Sequence, residues 1–159
     1  KKIILSKGHR NPQGLIYLDE KNIIVNTEHG PKGGDEINVN LMDKIYNFGW
    51  PIASYGIRYN GENPFKQTHK NFDEPIKYYT PSVAPSQIIK KFDEDAFYFA
   101  TLKDKSIYEI KLTNDFKKIL SEERFFINER IRDIIHIKNG IYSLVLDNSP
   151  SLAFFELKK

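Results

Sequence analysis

The sequence predicts an all-β fold made of about a dozen short strands. Its apolar content is dominated by β-branched and aromatic residues, with 21 Ile, 11 Phe and 9 Tyr but only five Ala. These side chains favour extended backbone, whereas Ala is the residue that most favours helices. The apolar segments are also short and end in turn residues, which is typical of strands joined by tight connections.

In the first half of the chain, the segments 14–18 and 22–27 flank a charged tripeptide and indicate a hairpin. Residues 36–41 indicate a further strand. The polar stretch 43–74 is rich in Gly and Pro, so we expect a long loop with at most one strand near residues 52–57.

The second half has a denser series of strand patterns. Residues 106–112 alternate with a period of two, and Asn139-Gly140 is a strong hairpin-turn pair. Only residues 41–46 and 115–120 could form helical turns. The expected strands lie at 76–79, 87–91, 96–101, 106–112, 119–126, 131–137, 140–146 and 152–157.

Such a set of strands leaves three architectures open, namely a sandwich, a barrel or the blades of a propeller. Propeller blades hold about four strands each, so about twelve strands would form about three blades. A closed propeller ring needs ~4–8 blades. The strand pattern alone does not choose among these architectures.

The composition excludes several classes of protein. The 159 residues carry a net charge of +3, which is too small and too dispersed to indicate a nucleic-acid partner. No apolar run approaches the ~20 residues that span a bilayer, so we expect no membrane span. The absence of cysteine excludes disulfides, a thiol nucleophile and a cysteine-ligated zinc site.

A first candidate binding segment is the loop at residues 8–15, which brings together Arg10, Asn11 and Gln13. The guanidinium fork of Arg suits carboxylate or carbonyl oxygens, and the two amides supply both donors and acceptors. Such a loop could hold a polar planar ligand. A purely structural, well-capped connection is about as plausible on these residues alone.

A second candidate is the glycine-rich segment 27–36, which contains Gly30, Pro31 and Glu36. Its glycines permit tight turns that expose backbone carbonyls, and Ca²⁺ prefers carbonyl and carboxylate oxygens. The spacing is not that of an EF-hand loop. An acidic hairpin tip is the commoner meaning of a lone segment of this kind.

A third candidate is the pair Arg130 and Arg132, which we expect on one face of a strand because side chains alternate with a period of two. Two guanidinium groups on one face repel unless an anion lies between them. The pair therefore indicates either a clamp for an anionic ligand or ion pairing with Glu129, Asp133 or another acid. Lys103, in the loop after a strand, would on its own be a solvated lysine.

Taken together and in order, these segments resemble the soluble quinoprotein sugar dehydrogenases, the glucose/sorbosone and aldose sugar dehydrogenase family, which uses pyrroloquinoline quinone (PQQ) and calcium. As a set they are specific, although each alone is modest. The matching segments are GHRNPQGL at 8–15, EHGPKGGDEIN at 28–38, NFGWP at 47–51, YYTPSVAPS at 78–86, LK at 102–103 and RIRD at 130–133.

The resemblance implies a β-propeller of the six-bladed quinoprotein dehydrogenase type. It covers only about the C-terminal half of that ring. We therefore expect residues 1–159 to be one unit of about three blades, with the N-terminal blades absent. Their place would be taken by the missing half or by a second copy of the chain.

The resemblance also implies roles for individual residues. Arg10 would lie over the reactive carbonyl of the quinone and is the implied catalytic residue. The backbone carbonyls of Gly30 and Pro31 would hold the catalytic Ca²⁺, while Glu36 and the carbonyl of Phe48 resemble part of a second, structural calcium site. The implied PQQ-binding residues are Arg10, Asn11, Gln13, Ser82, Lys103, Arg130 and Arg132.

The implied activity is oxidation of the C1 carbon of an aldose to a lactone by hydride transfer to PQQ, with electrons passing to an external acceptor. A periplasmic or secreted location is implied as well. The family's general base is a histidine of the absent half, so we expect the chain to be inactive alone.

Thr80 replaces a tryptophan of the glucose-specific members, and Arg58 stands where an acidic calcium ligand is expected. The alternative is a non-catalytic binding propeller of the same fold.

Overall fold

The computed structural model describes residues 1–156, and these form β-strands joined by loops and turns. The all-β prediction is confirmed. The strands are β1 (Ser6–Lys7), β2 (Pro12–Leu18), β3 (Ile23–Glu28), β4 (Asp35–Asn40), β5 (Tyr46–Asn47), β6 (Lys77–Tyr79), β7 (Pro85–Lys90), β8 (Phe97–Thr101), β9 (Ser106–Leu112), β10 (Ile119–Phe126), β11 (Ile131–Lys138), β12 (Ile141–Leu146) and β13 (Ser151–Glu156).

Three antiparallel sheets follow one another along the chain. The first sheet has the order β2-β3-β4-β6, the second β7-β8-β9-β10 and the third β11-β12-β13. A short parallel pair, β1 with β5, ties the start of the chain to the long loop that precedes β6. In each sheet the strands pair in the order in which they follow along the chain, with the short β5 passed over between β4 and β6. This is the arrangement expected of three successive propeller blades.

Two apolar clusters separate the three sheets. Along β8, Phe97 and Phe99 face the cluster between the first and second sheets, whereas Tyr98 and Ala100 face the cluster between the second and third. All four side chains are buried. Successive residues of β8 therefore fill both faces of the central sheet, as the alternation of side chains along a buried strand requires.

The first strand of each sheet lies beside the first strand of the next. The Thr27 hydroxyl accepts a hydrogen bond from Gly14 N (3.0 Å) and donates one to the Ser86 carbonyl (2.6 Å). The Ser86 hydroxyl in turn donates to the carbonyl of Ile131 (2.7 Å). A side chain at Gly14 would collide with the backbone of Ser86 and Ile88, so glycine is required where β2 approaches β7.

The predicted helical turns at 41–46 and 115–120 are wrong, since the one helix among residues 1–156 is a 3₁₀ turn at Asp19–Lys21. Met42 (φ 63°) and Phe116 (φ 58°) adopt the left-handed conformation, which interrupts a right-handed helix. The possible strand at 52–57 is likewise reduced to isolated bridges.

The third sheet leaves one face uncovered in this chain. Leu152 and Phe154 on β13 are 76% and 79% exposed, and Val145 on β12 is also exposed. The opposite face packs on the second sheet through Tyr142 and Leu144. No helix in the described part of the chain is long and apolar enough to cross a membrane.

Candidate functional site

Arg10 is held against the end of β3 by two hydrogen bonds. Its backbone N–H donates to Glu28 Oε2 (3.0 Å), and its Nη1 donates to the His29 carbonyl (3.1 Å). The backbone N–H of His29 donates back to the carbonyl of Asn11 (3.0 Å). The loop before β2 and the loop after β3 are thus fixed to each other, and the Arg10 guanidinium lies beside Gly30 and Pro31.

The loop that connects β3 to β4, residues 29–34, is here called the Gly30 loop. A side chain at Gly30 would collide with the carbonyl oxygens of Gly33 and Gly34, so the loop closes on itself too tightly for any residue but glycine. The carbonyl oxygens of Gly33 and Gly34 are thereby brought close to Gly30. This donor set suits a hard cation such as Ca²⁺.

Asp35, at the start of β4, organises the Gly30 loop from inside. It is 1% exposed, and its Oδ1 accepts hydrogen bonds from Gly30 N (3.0 Å) and the Ser82 hydroxyl (3.3 Å). Its Oδ2 accepts from Val83 N (2.8 Å) and Ala84 N (2.7 Å). The sequence analysis missed this residue, although an acid directly after a glycine pair was a visible signal.

Six of the predicted site residues line one open cleft of about 310 Å³ next to the Gly30 loop. These residues are Arg10, Asn11, Gly30, Pro31, Ser82 and Lys103. They come from four separate loops, which the packing of the first and second sheets brings together. Gln13 lies outside the cleft and donates from Nε2 to Asn11 Oδ1 (3.0 Å), so it acts on Asn11.

Arg130, which directly precedes β11, and Arg132, at an irregularity of the β11–β12 pairing, share an acid that the sequence analysis did not identify. Arg130 Nε and Arg132 Nη2 both donate to Asp147 Oδ2, at 3.1 and 3.3 Å. The hydrogen bond from Arg130 and the positive charge of Arg132 hold the pKa of Asp147 below its usual range. Arg130 Nη1 also donates to the Leu102 carbonyl (3.4 Å), which places it beside the Lys103 loop.

Glu36 and Phe48 line a small cavity that shares Arg10, His29 and Gly30 with the cleft. Asn38 Nδ2 donates to both Glu28 Oε1 (2.9 Å) and Glu36 Oε2 (3.3 Å). Burial, together with the negative charge of Glu28, raises the pKa of Glu36 to about 9. Without a cation, one proton therefore stays on this carboxylate pair at neutral pH.

His69 lies next to Glu36, the carboxylate that is predicted to bind the structural calcium. Its ring is buried, and its Nε2 lies 3.9 Å from Glu36 Oε1. Arg58, which replaces the expected acidic ligand, is exposed and paired with Glu62. Among residues 1–156, no group of three His, Asp or Glu side chains is placed to hold a metal ion. The cavity is therefore a poor fit for Ca²⁺, which needs about six to eight oxygen ligands. The second, structural calcium site stays a prediction.

The two histidines near the cleft hold loops in place. His9 contacts the Ser6 hydroxyl through Nε2 (2.7 Å) and Glu28 Oε1 through Nδ1 (3.4 Å). His29 Nε2 donates to the Pro85 carbonyl (2.8 Å). These contacts account for both rings structurally, and neither histidine is assigned the role of a general base.

The chain is similar to known proteins over most of its length. The sequence model of the Glucose / Sorbosone dehydrogenase family matches residues 1–153. The Aldose sugar dehydrogenase YliI of Escherichia coli K12 is 32% identical over 161 residues, which cover 92% of this chain and 41% of that protein. The uncharacterized protein slr1608 of Synechocystis is 32% identical over 162 residues, or 96% of this chain and 39% of that protein.

Solved structures give the same result. A crystal structure of glucose dehydrogenase superimposes with a TM-score of 0.82 at 31% identity, covering 94% of this chain and 45% of that one. The PQQ-bound aldose sugar dehydrogenase of Streptomyces coelicolor superimposes with a TM-score of 0.68 at 25% identity, covering 92% and 40%. These neighbours are propeller proteins, which confirms the predicted fold class. The chain spans about two-fifths of the length of the relatives it matches.

Proposed function

Because the chain belongs to the glucose/sorbosone dehydrogenase family, we propose that it forms about three blades of a PQQ- and calcium-dependent aldose dehydrogenase. The observation that carries the proposal is the convergence of Arg10, Asn11, Ser82 and Lys103 with the Gly30 loop on one cleft. These are the residues whose sequence motifs match the family. The PQQ-bound neighbour supports the choice of cofactor.

PQQ is a planar tricarboxylate, and the cleft offers the groups that such an anion needs. Arg10 supplies a bidentate fork and Lys103 a point charge, while Asn11 and Ser82 add neutral hydrogen bonds. Arg130 donates to the Leu102 carbonyl next to Lys103, and Arg132 shares Asp147 with Arg130, so both would meet carboxylates that reach past Lys103. Gln13 would act through Asn11 by holding its amide in place.

The Gly30 loop would hold the catalytic Ca²⁺ through the carbonyls of Gly30 and Pro31. PQQ, when bound, supplies the hydride acceptor, and calcium polarises its quinone oxygens. The residues of this chain would bind and orient these groups. Arg10, fixed by Glu28 and the His29 carbonyl, would direct its remaining N–H donors towards oxygen atoms that gain negative charge.

The reaction that we propose is oxidation of an aldose at C1 to a lactone, with electrons leaving to an external acceptor. We also propose that the chain, residues 1–159, is one unit and that other blades of a six-bladed ring supply the general base. Those blades, or a second copy of the chain, would cover the exposed face of the third sheet at Leu152 and Phe154. A periplasmic or secreted location remains part of the proposal.

Reconstitution of the full-length protein tests this function. With PQQ and Ca²⁺ it should reduce an artificial dye when an aldose is added. Lys103→Met should weaken PQQ binding at least tenfold, since a charge-assisted hydrogen bond contributes about 1.5–3 kcal/mol. The matched control is Lys117→Met, at an exposed turn of the second sheet. Failure to bind micromolar PQQ would favour the non-catalytic binding propeller instead.

A further inference from the structure

The resemblance places a second calcium at Glu36 and Phe48, and the space beside these two residues is small. The cavity that they line has a volume of about 10 Å³, which is about the room that a single water molecule needs. Arg10 lines the same cavity, and its positive charge repels a cation. Both the volume and the charge of the cavity therefore oppose an ion that takes about six to eight oxygen ligands.

Two buried acids of this region, Glu28 and Glu36, are bridged by a protein amide. Asn38 Nδ2 donates to Glu28 Oε1 (2.9 Å) and to Glu36 Oε2 (3.3 Å). The other oxygen of Glu28 accepts from the backbone N–H of Arg10 (3.0 Å). Hydrogen bonds from amide groups thus stabilise both carboxylates at a position where a cation would otherwise do so.

The remaining oxygen of Glu36 faces the buried ring of His69. Nε2 of this ring lies 3.9 Å from Glu36 Oε1, and Nδ1 lies 3.5 Å from Glu74 Oε2. Burial lowers the pKa of the His69 ring, whereas Glu74 and the Phe48 backbone act in the opposite direction, so this backbone lies beside the ring. Both residues that the resemblance gives to the ion therefore adjoin one imidazole. Because Ca²⁺ prefers oxygen ligands, the ring occupies a ligand position without supplying a ligand.

His69 also attaches the long loop between β5 and β6, residues 48–76, to the first sheet. The backbone N–H of His69 donates to Glu74 Oε1 (3.2 Å), and the Tyr55 hydroxyl donates to Glu74 Oε2 (2.7 Å). The Tyr55 ring lies 4.9 Å from the His69 ring and stacks at 3.8 Å on Tyr78 of β6. Stacked rings and side-chain hydrogen bonds thus hold this loop on the sheet, which is the task of a structural ion.

We propose that this chain binds no calcium at Glu36 and that His69, together with Asn38, takes the place of the structural ion. The long loop is then attached to the first sheet by side chains alone, and its attachment does not depend on the calcium concentration. Arg58 agrees with this inference, because it stands where an acidic ligand is expected and is instead exposed and paired with Glu62 (3.1 Å). The catalytic calcium proposed at the Gly30 loop is a separate ion.

The number of calcium ions bound by the full-length protein, counted by equilibrium dialysis after chelation of the bound metal, tests the proposal. Glu36→Gln should bind as many calcium ions per chain as the wild type. Its urea midpoint should also rise by the same amount when calcium is added, since an ion that binds only the folded state stabilises it. Glu109→Gln is the matched control, because Glu109 is a largely buried acid of the second sheet, paired with Lys91 (2.8 Å). Loss of one calcium ion per chain in Glu36→Gln but not in Glu109→Gln would overturn the proposal.

A substitution of His69 gives a second, independent measurement. His69→Ala should lower the urea midpoint of the full-length protein, and the loss should be the same in calcium and in EDTA. His136→Ala is the matched control and should lower the midpoint less, because this histidine is exposed on β11 and stacks on Phe92 (4.7 Å). A His69→Ala midpoint equal to that of the wild type would overturn the role given to the ring. Neither measurement uses a sugar or PQQ, so both results are independent of the proposed activity.

Discussion

Asp35→Asn is the substitution that most directly tests how the Gly30 loop is built. The wild-type carboxylate is buried and accepts four hydrogen bonds, two at each oxygen, from Gly30, Ser82, Val83 and Ala84. An amide keeps only one acceptor oxygen. In either orientation, its NH₂ group must face at least one backbone N–H donor.

The magnitude follows from these four bonds. If the amide oxygen stays with Val83 and Ala84, the N–H of Gly30 loses its acceptor while Ser82 can turn to accept. A lost hydrogen bond to a charged group costs about 1.5–3 kcal/mol, and a buried unpaired donor adds to that cost. We therefore expect Asp35→Asn to lower the free energy of unfolding by about 2–4 kcal/mol. Calcium binding, which needs the Gly30 carbonyl in place, should weaken at least tenfold, equivalent to about 1.4 kcal/mol.

Urea unfolding and calcium titration of the full-length protein measure both effects. Asp43→Asn serves as the control, since Asp43 is exposed and accepts a single hydrogen bond from the Tyr46 hydroxyl (2.9 Å). If Asp35→Asn changed stability by less than about 0.5 kcal/mol, as an ordinary surface substitution does, the argument that one carboxylate sets the loop would be refuted. Lost stability with unchanged calcium affinity would refute only the link to the metal.

Three further predictions follow from other contacts. In calcium-free protein, the pKa of Glu36 is raised from 4.5 to about 9, so the folded state keeps a proton that the unfolded chain releases. The free energy of unfolding should therefore fall by up to ~1.4 kcal/mol for each unit by which the pH rises across that range. Glu36→Gln should reduce this dependence of stability on pH, as measured by urea unfolding at pH 6 and 8. Asp147→Asn should free Arg130 and Arg132 and tighten PQQ binding a few-fold at low salt; weaker binding would mean that Asp147 positions the two forks. Gly14→Ala should lower the free energy of unfolding by about 2 kcal/mol or more, because its Cβ would meet the backbone of β7, and a urea midpoint equal to that of the wild type would contradict that close approach.

The fold was predictable where the pattern in the sequence is local. The period of two along residues 106–112 and the Asn139-Gly140 turn need no distant partner, and both are observed. Asn139 and Gly140 have φ values of 48° and 77°, as a two-residue hairpin requires. The helical turns failed because the left-handed conformations at Met42 and Phe116 depend on packing that a local pattern does not record.

The candidate site was predictable for the residues that carry a chemical motif. Arg10, Asn11 and Lys103 stand out by their motifs, and the structure brings them to one cleft. The glycine pair before Asp35 was a local signal, but the role of Asp35 depends on Ser82, Val83 and Ala84, which lie 47 to 49 positions away in the chain. Asp147 was missed for the same reason, since the antiparallel pairing of β11 with β12 alone brings it to Arg130 and Arg132.

These two acids differ in burial, and the difference divides the site into a fixed part and an adjustable part. Asp35 is buried, so its hydrogen bonds hold the Gly30 loop rigidly whether or not a ligand is present. Asp147 is exposed, and exposed ion pairs contribute only about 0–1 kcal/mol. A ligand carboxylate can therefore replace Asp147 on Arg130 and Arg132 at small energetic cost. Arg130 and Arg132 can therefore pair with Asp147 and still bind an anionic ligand. A ligand that binds their guanidinium groups more tightly than Asp147 does would displace the Asp147 carboxylate.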